Sequence, residues 1–186
     1  MRSRLIAVLL ATAFIVVAPP SLAQDKGNTK AADLTRSSQA ALQKLYSSVE
    51  LAKLLGTKAQ AVLIFPSVKK AGLGIGGQYG EGTLLKGGSA TAYYKTTGAS
   101  FGLQAGGQSY GYAMFFMNAK ALEEFVTASG FEVGVGPSVV LMDEGKAKTA
   151  TTNTMKDDIY AFVFGQKGLM AGLGIQGNKI TKITPK

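Results

Sequence analysis

The chain has 186 residues, 46% of them hydrophobic and 17% charged, with a formal net charge of +9. That balance suits one globular domain and excludes a disordered polyelectrolyte. Cysteine and histidine are both absent, which excludes disulfides, thiolate chemistry, a lipidated cysteine, imidazole metal ligands and a Ser-His-Asp triad.

Arg2 and Arg4 precede an apolar run from Leu5 to Val17, followed by Pro19-Pro20 and Ser21-Leu22-Ala23. This is the order of a secretory signal peptide, with cleavage after Ala23. The apolar run is shorter than the roughly 20 residues that span a bilayer, which disfavours an uncleaved anchor. The expected organisation is a signal peptide over residues 1–23, a flexible leader over 24–30 and a single domain over 31–186, placed in a bacterial periplasm or secreted.

From Ala31, Leu34, Ala41, Leu42, Leu45, Val49 and Ala52 recur at helical spacing. Tyr46-Ser47-Ser48 predicts a break into two helices, and Gly56 a C-terminal stop. The apolar stripe is broad and the polar face is not strongly basic, which favours packing on a sheet over lying in a membrane surface. Ala61–Phe65 is an apolar run that predicts a buried strand ending at Pro66, with a short basic turn over Ser67–Lys70.

Residues 71–82, AGLGIGGQYGEG, alternate apolar side chains with glycine. The alternation recurs at Phe101–Gly106, Val133–Gly136 and Gly172–Ile175, which predicts four smooth-faced strands of a curved sheet. Glycine inside a strand marks a bend, a bulge or a close approach, so a helix, a second layer or an apolar ligand is expected against those faces. Gly87-Gly88 predicts a hairpin, with Ala90–Lys95 pairing back and Tyr93 and Tyr94 on opposite faces. Gly98 is expected to break that strand, and Tyr112–Met117 to be buried. Asn118 predicts an N-cap for a helix over Ala119–Ser129, with Leu122, Phe125 and Val126 inward and Gly130 closing it. Further strands are expected over Phe131–Met142, over the polar Lys146–Thr154 edge, and in a closing hairpin, Asp158–Phe164 with Leu169–Gln176. The fold class is α+β: a curved, barrel-like antiparallel sheet with N-terminal helices and one short helix packed on it.

The glycine run opens more strand and not a helix, so it is not a dinucleotide fingerprint, and no G-x-x-x-x-G-K-[ST] is present. The paired acids Glu123-Glu124, Asp143-Glu144 and Asp157-Asp158 stand beside no other catalytic-type residue. They read as solvated charges; a carboxylate-pair hydrolase would need two of them to converge in a cleft. Lys69 and Lys70 precede the smooth strand, with Lys58 near in sequence. Lysines in that setting suit lipid phosphates, and a scattered soluble surface is the plain alternative.

FPSVKKAGLGIGGQYGEG at Phe65–Gly82 resembles the signature of the SYLF domain, a lipid-binding module. In order, Ala99–Gly107, Met114–Asn118 with its following helix, Val133–Val139 and Asp158–Gly177 resemble that family's later segments. Tyr93-Tyr94 departs from a tryptophan-containing segment common among members. The resemblance implies binding of anionic phospholipid or a membrane surface, no catalysis and no cofactor. Within the matched motif it points to Lys70 and Lys69, with Lys58 added by proximity. Nucleic acid is not an expected partner. The alternative is a structural or protein-interaction module of the cell envelope, whose glycines serve only curvature and packing.

Overall fold

The computed structural model describes residues 22–102, 108–135, 138–142, 156–165, 175 and 177–185. The expected signal peptide therefore lies almost wholly outside the described residues, as do the Lys146–Thr154 edge and, but for Ile175, the Leu169–Gln176 half of the closing hairpin.

The fold is α+β. Helices α1 (Leu22–Ser48) and α2 (Glu50–Lys58) lead into strands β1 (Ala61–Lys86), β2 (Ser89–Gly102) and β3 (Gln108–Phe116). Helix α3 (Ala119–Thr127) follows, then β4 (Phe131–Glu132), β5 (Val139–Met142), β6 (Ile159–Phe164) and β7 (Lys179–Ile183). These strands form one curled sheet in the order β4-β7-β2-β1-β3-β6-β5. Among the described residues every pairing is antiparallel except β5 with β6, which is parallel.

The segment over 24–30, expected as a loose leader, is the start of α1. Once the packed part of a helix is nucleated, each further residue costs little. The break between α1 and α2 falls at Val49. Gly56 is inside α2 and does not end it; its missing side chain makes room for the Tyr46 ring.

Strand β1 is the frame of the domain, and at 26 residues it is far longer than an ordinary strand. Its length follows from having two successive partners. Ala61–Lys70 pairs with β3, and Gly74–Lys86 pairs with β2. The strand does not stop at Pro66, and Ser67–Lys70 is not a turn. Pro66 and Ser67 together oppose Gly111, since pairing breaks off at Phe65↔Tyr112 and resumes at Val68↔Tyr110. That is a bulge, the place where a strand tolerates a residue without an N–H.

The two halves of β1 meet. A methyl group on Gly82 would fall on the Ile64 carbonyl oxygen and the Phe65 ring. One on Gly80 would fall 2.7 Å from Val68 Cγ2 and 2.8 Å from the Ser67 carbonyl oxygen. The strand thus curls until its second half passes against its first, and the smooth face is what lets it. What lies against Gly80 and Gly82 is the first half of the same strand, backbone and side chains together. Gly98 does not break β2; it sits opposite Gln78 and makes room for the Asn178 side chain.

Gly87 and Gly88 connect β1 to β2 with φ of 58° and 83°. Positive φ at both central residues is the two-residue hairpin geometry that glycine favours. Of the smooth strand expected over Val133–Gly136, Gly136 lies outside the described residues and the rest is not strand. Residues 133–135 turn away after the two-residue β4, with Gly134 at φ 100°.

The curl has two buried faces. Outside, Leu42 and Leu45 of α1 and Leu51, Ala52 and Leu55 of α2 pack on Val62, Ile64, Leu85, Phe115 and Phe162. Inside, Leu63, Phe65, Val68, Tyr94, Tyr112 and Met114 meet Phe125 of α3. Asn118 Oδ1 accepts from the Ala121 N–H at 2.9 Å and caps α3. Phe125 is buried and Leu122 packs half-buried on the interior core, both as expected; Ala121 joins them inward, while Val126 is 41% exposed. Tyr93 and Tyr94 do leave β2 on opposite faces: the Tyr93 hydroxyl bonds with Thr35 of α1, and the Tyr94 ring lies 4.8 Å from that of Phe125.

Candidate functional site

Three places carry polar or exposed side chains that packing alone does not require. The first is the interior of the curl. Gln78 is buried there; it accepts from the Tyr110 hydroxyl at 2.7 Å and donates to Asn178 Oδ1 and to the Ala99 carbonyl. Around it, Thr96 and Tyr112 are wholly buried. Burial pushes the Tyr112 hydroxyl far above the ordinary tyrosine range, with the nearby Thr96 and Asn178 side chains partly offsetting it. Burial likewise pushes Tyr110 up to about 12. A core this polar fixes the register of its strands, because each misplaced group costs about 1–3 kcal/mol.

The second is the outer face of β1. Successive side chains of a strand point to opposite faces. Val68 is in the interior core and Leu85 in the outer one, so Lys69, Ala71, Ile75, Gly77 and Tyr79 belong to the outer face. Ile75 is 73% exposed and Tyr79 48%. The Tyr79 hydroxyl donates to Glu81, a bond that, with partial burial and the Glu81 charge, pushes Tyr79 up to about 12.

The third is a cleft of about 210 Å³ on that same face, between α1 and the β1 bulge. Its polar lining includes Lys44, Ser48, Ser67 and Ser109; Leu45, Pro66, Tyr110 and Phe164 are among the apolar remainder. Gly111 opens it. A side chain there would strike the Phe164 ring, which lies across the strand as the floor.

The lysines singled out in the sequence do not gather. Lys69 is exposed on the outer face and pairs in register with Ser109. Lys70 points inward, its Nζ 6.0 Å from the centre of the Tyr110 ring. Lys58 closes α2, where a cation complements the helix dipole. From Ala61 to Lys69 is roughly 25 Å along the strand, so Lys58 sits at the far end. Ile75, Tyr79, Lys44, Ser67 and Ser109 were not singled out. Strand parity carried the signal for the first two; the rest depend on how α1 crosses the sheet.

Of the acid pairs, Glu123 and Glu124 are exposed on α3. Asp157 accepts from the Tyr160 hydroxyl at 3.2 Å and Asp158 from the Asn118 amide at 2.5 Å. The Asp143-Glu144 pair lies outside the described residues. Among the described residues, no cluster of acids could hold a metal ion, and no helix is long and apolar enough to cross a membrane.

No curated protein matches the chain. A family described as Ysc84, Las17-binding protein actin regulator, matches residues 97–184, from within β2 to just past β7. The segments that resemble the SYLF signature before residue 97 sit on β1, the direct partner of β2. The match over residues 97–184 is to the SYLF domain family, the family that the sequence segments resemble; it is a lipid-binding and protein-interaction family.

Proposed function

We propose that this chain binds anionic phospholipid surfaces without catalysis, in the periplasm or outside the cell after loss of residues 1–23. The observation that carries this is Ile75, an aliphatic side chain 73% exposed on the same strand face as Lys69 and Tyr79. An isolated exposed apolar residue needs no explanation, but an aliphatic, an aromatic and a lysine on one face combine the two forces that hold a protein to a lipid surface. The net positive charge favours anionic lipid.

Flotation with phosphatidylglycerol-rich and with phosphatidylcholine vesicles tests it. The expected result is capture by the anionic vesicles only, weakened in Ile75→Ser/Tyr79→Ser. Equal recovery with both lipids, or none with either, would sink the reading.

A protein-interaction module is the second reading. It is favoured by Gly80 and Gly82, whose smooth faces are fully used in packing β1 on itself. It predicts no vesicle capture and a protein partner recovered from envelope extracts by crosslinking.

A further inference from the structure

The cleft at the β1 bulge has a chemistry of its own. Ser67 and Ser109 line it from adjacent strands, and Lys44 lines it from α1 above them. Lys69 is the register partner of Ser109. Directly opposed side chains start about 5 Å apart, so the exposed Lys69, although it does not line the cleft, has its ammonium within swinging distance of the rim. No acidic residue is among those lining the cleft. Lys44, with Lys69 in reach, and the Ser67 and Ser109 hydroxyls, without a carboxylate, form a set suited to a tetrahedral oxyanion; the third lining hydroxyl, Ser48, already donates to the Lys44 and Leu45 carbonyls. The floor of Pro66, Leu45 and the Phe164 ring is apolar. At about 210 Å³ the space is below the usual range for a whole organic ligand and fits a headgroup, not an acyl chain.

We infer that this cleft binds a phosphate ester, with Lys44, Lys69, Ser67 and Ser109 as its ligands. On the lipid reading above, the ester is the phosphodiester of the headgroup, and Ile75 and Tyr79 contact the same bilayer beside it. A soluble phosphate ester would present the same chemistry to the site.

The test has two arms. In the first, glycerol phosphate is titrated into the isotopically labelled full chain, and the Ser67, Ser109 and Gly111 amide resonances are followed by NMR. In the second, phosphatidylglycerol vesicles are titrated by cosedimentation. The variants are Lys44→Gln and the uncharged pair Ser67→Ala/Ser109→Ala, all at exposed positions; Lys58→Gln is the charge-matched control at the far end.

Shifts confined to the cleft are expected. Lys44→Gln should weaken vesicle binding about fivefold, the serine pair should weaken it too, and Lys58→Gln should leave it unchanged. If glycerol phosphate shifts the cleft amides but no vesicle binds, the site stands with a soluble ester and the lipid reading falls. If vesicles bind and Lys44→Gln and the serine pair bind them like the parent, the inference is overturned and the lipid reading survives. If neither ligand binds, both are overturned.

Discussion

The Tyr110 hydroxyl donates to Gln78 Oε1 at 2.7 Å and ties β3 to the far half of β1 across the interior of the curl. The same Gln78 reaches Asn178 beside β7 and the Ala99 carbonyl of β2. One buried side chain therefore holds four parts of the sheet in register. Gln78→Leu removes the acceptor of Tyr110 and a donor to Asn178 at similar volume. We expect a loss of about 2–4 kcal/mol in urea unfolding. A loss under about 1 kcal/mol would mean that the interior tolerates rearrangement.

The two glycine types in β1 should separate cleanly. At Gly82 the atom in the way is a backbone carbonyl oxygen, which cannot swing aside. Gly82→Ala should cost about 2–3 kcal/mol through overpacking. Gly77 has open space around its missing side chain and a backbone that alanine can adopt. Gly77→Ala should be neutral or should stabilise by up to about 1 kcal/mol. Denaturant midpoints of the two variants compare them directly. Equal effects would disprove the doubling back of β1 as the reason for its smooth face.

Local chemistry was legible in the sequence. Gly87-Gly88 announced the hairpin and Asn118 the cap of α3, because both act within a few residues. The alternation in 71–82 announced a strand with something against its glycines. The occupant was not legible, since the first half of the same strand reaches Gly80 and Gly82 only after the sheet curls. Pro66 and Gly98 read as breaks by propensity, and pairing overrode both: Pro66 sits in a bulge, and Gly98 admits Asn178. Strand β7 was missed because Lys179–Ile183 is short and carries two lysines; its two neighbours, and not its composition, make it a strand. Reading Ser67–Lys70 as a turn also hid the separation of Lys69 from Lys70, which strand parity fixes.

That separation predicts different phenotypes for neighbouring lysines. Lys69→Gln should weaken capture by anionic vesicles about fivefold and leave stability unchanged, because its side chain is solvated on the outer face. Lys70→Gln should leave vesicle capture nearly intact. It should cost about 0.5–1 kcal/mol by removing the cation from the Tyr110 ring. Cosedimentation and thermal unfolding on the same preparations give both readouts. Equal loss of capture in the two variants would mean that both side chains reach the membrane, against the parity of β1.

The interior tyrosines make the fold sensitive to alkali. Burial raises Tyr110 to about 12 and raises Tyr94 and Tyr112 in the same direction, each from an ordinary value of 10.0. A raised folded-state pKa means that the native chain holds a proton the unfolded chain has released. The stabilisation is complete below pH 10 and drains away as pH rises from about 10 to about 12. Tyr79 shares the direction but is half exposed, so solvent screens its contribution. Urea midpoints measured from pH 8 upward should be flat to about pH 10 and then fall steeply. Tyrosinate absorbance from the interior rings should appear together with the loss of near-ultraviolet circular dichroism. Smooth ionisation of all the tyrosines near pH 10 with the fold intact would show that water reaches Tyr112, and the interior would then be an open cavity and not a packed polar core.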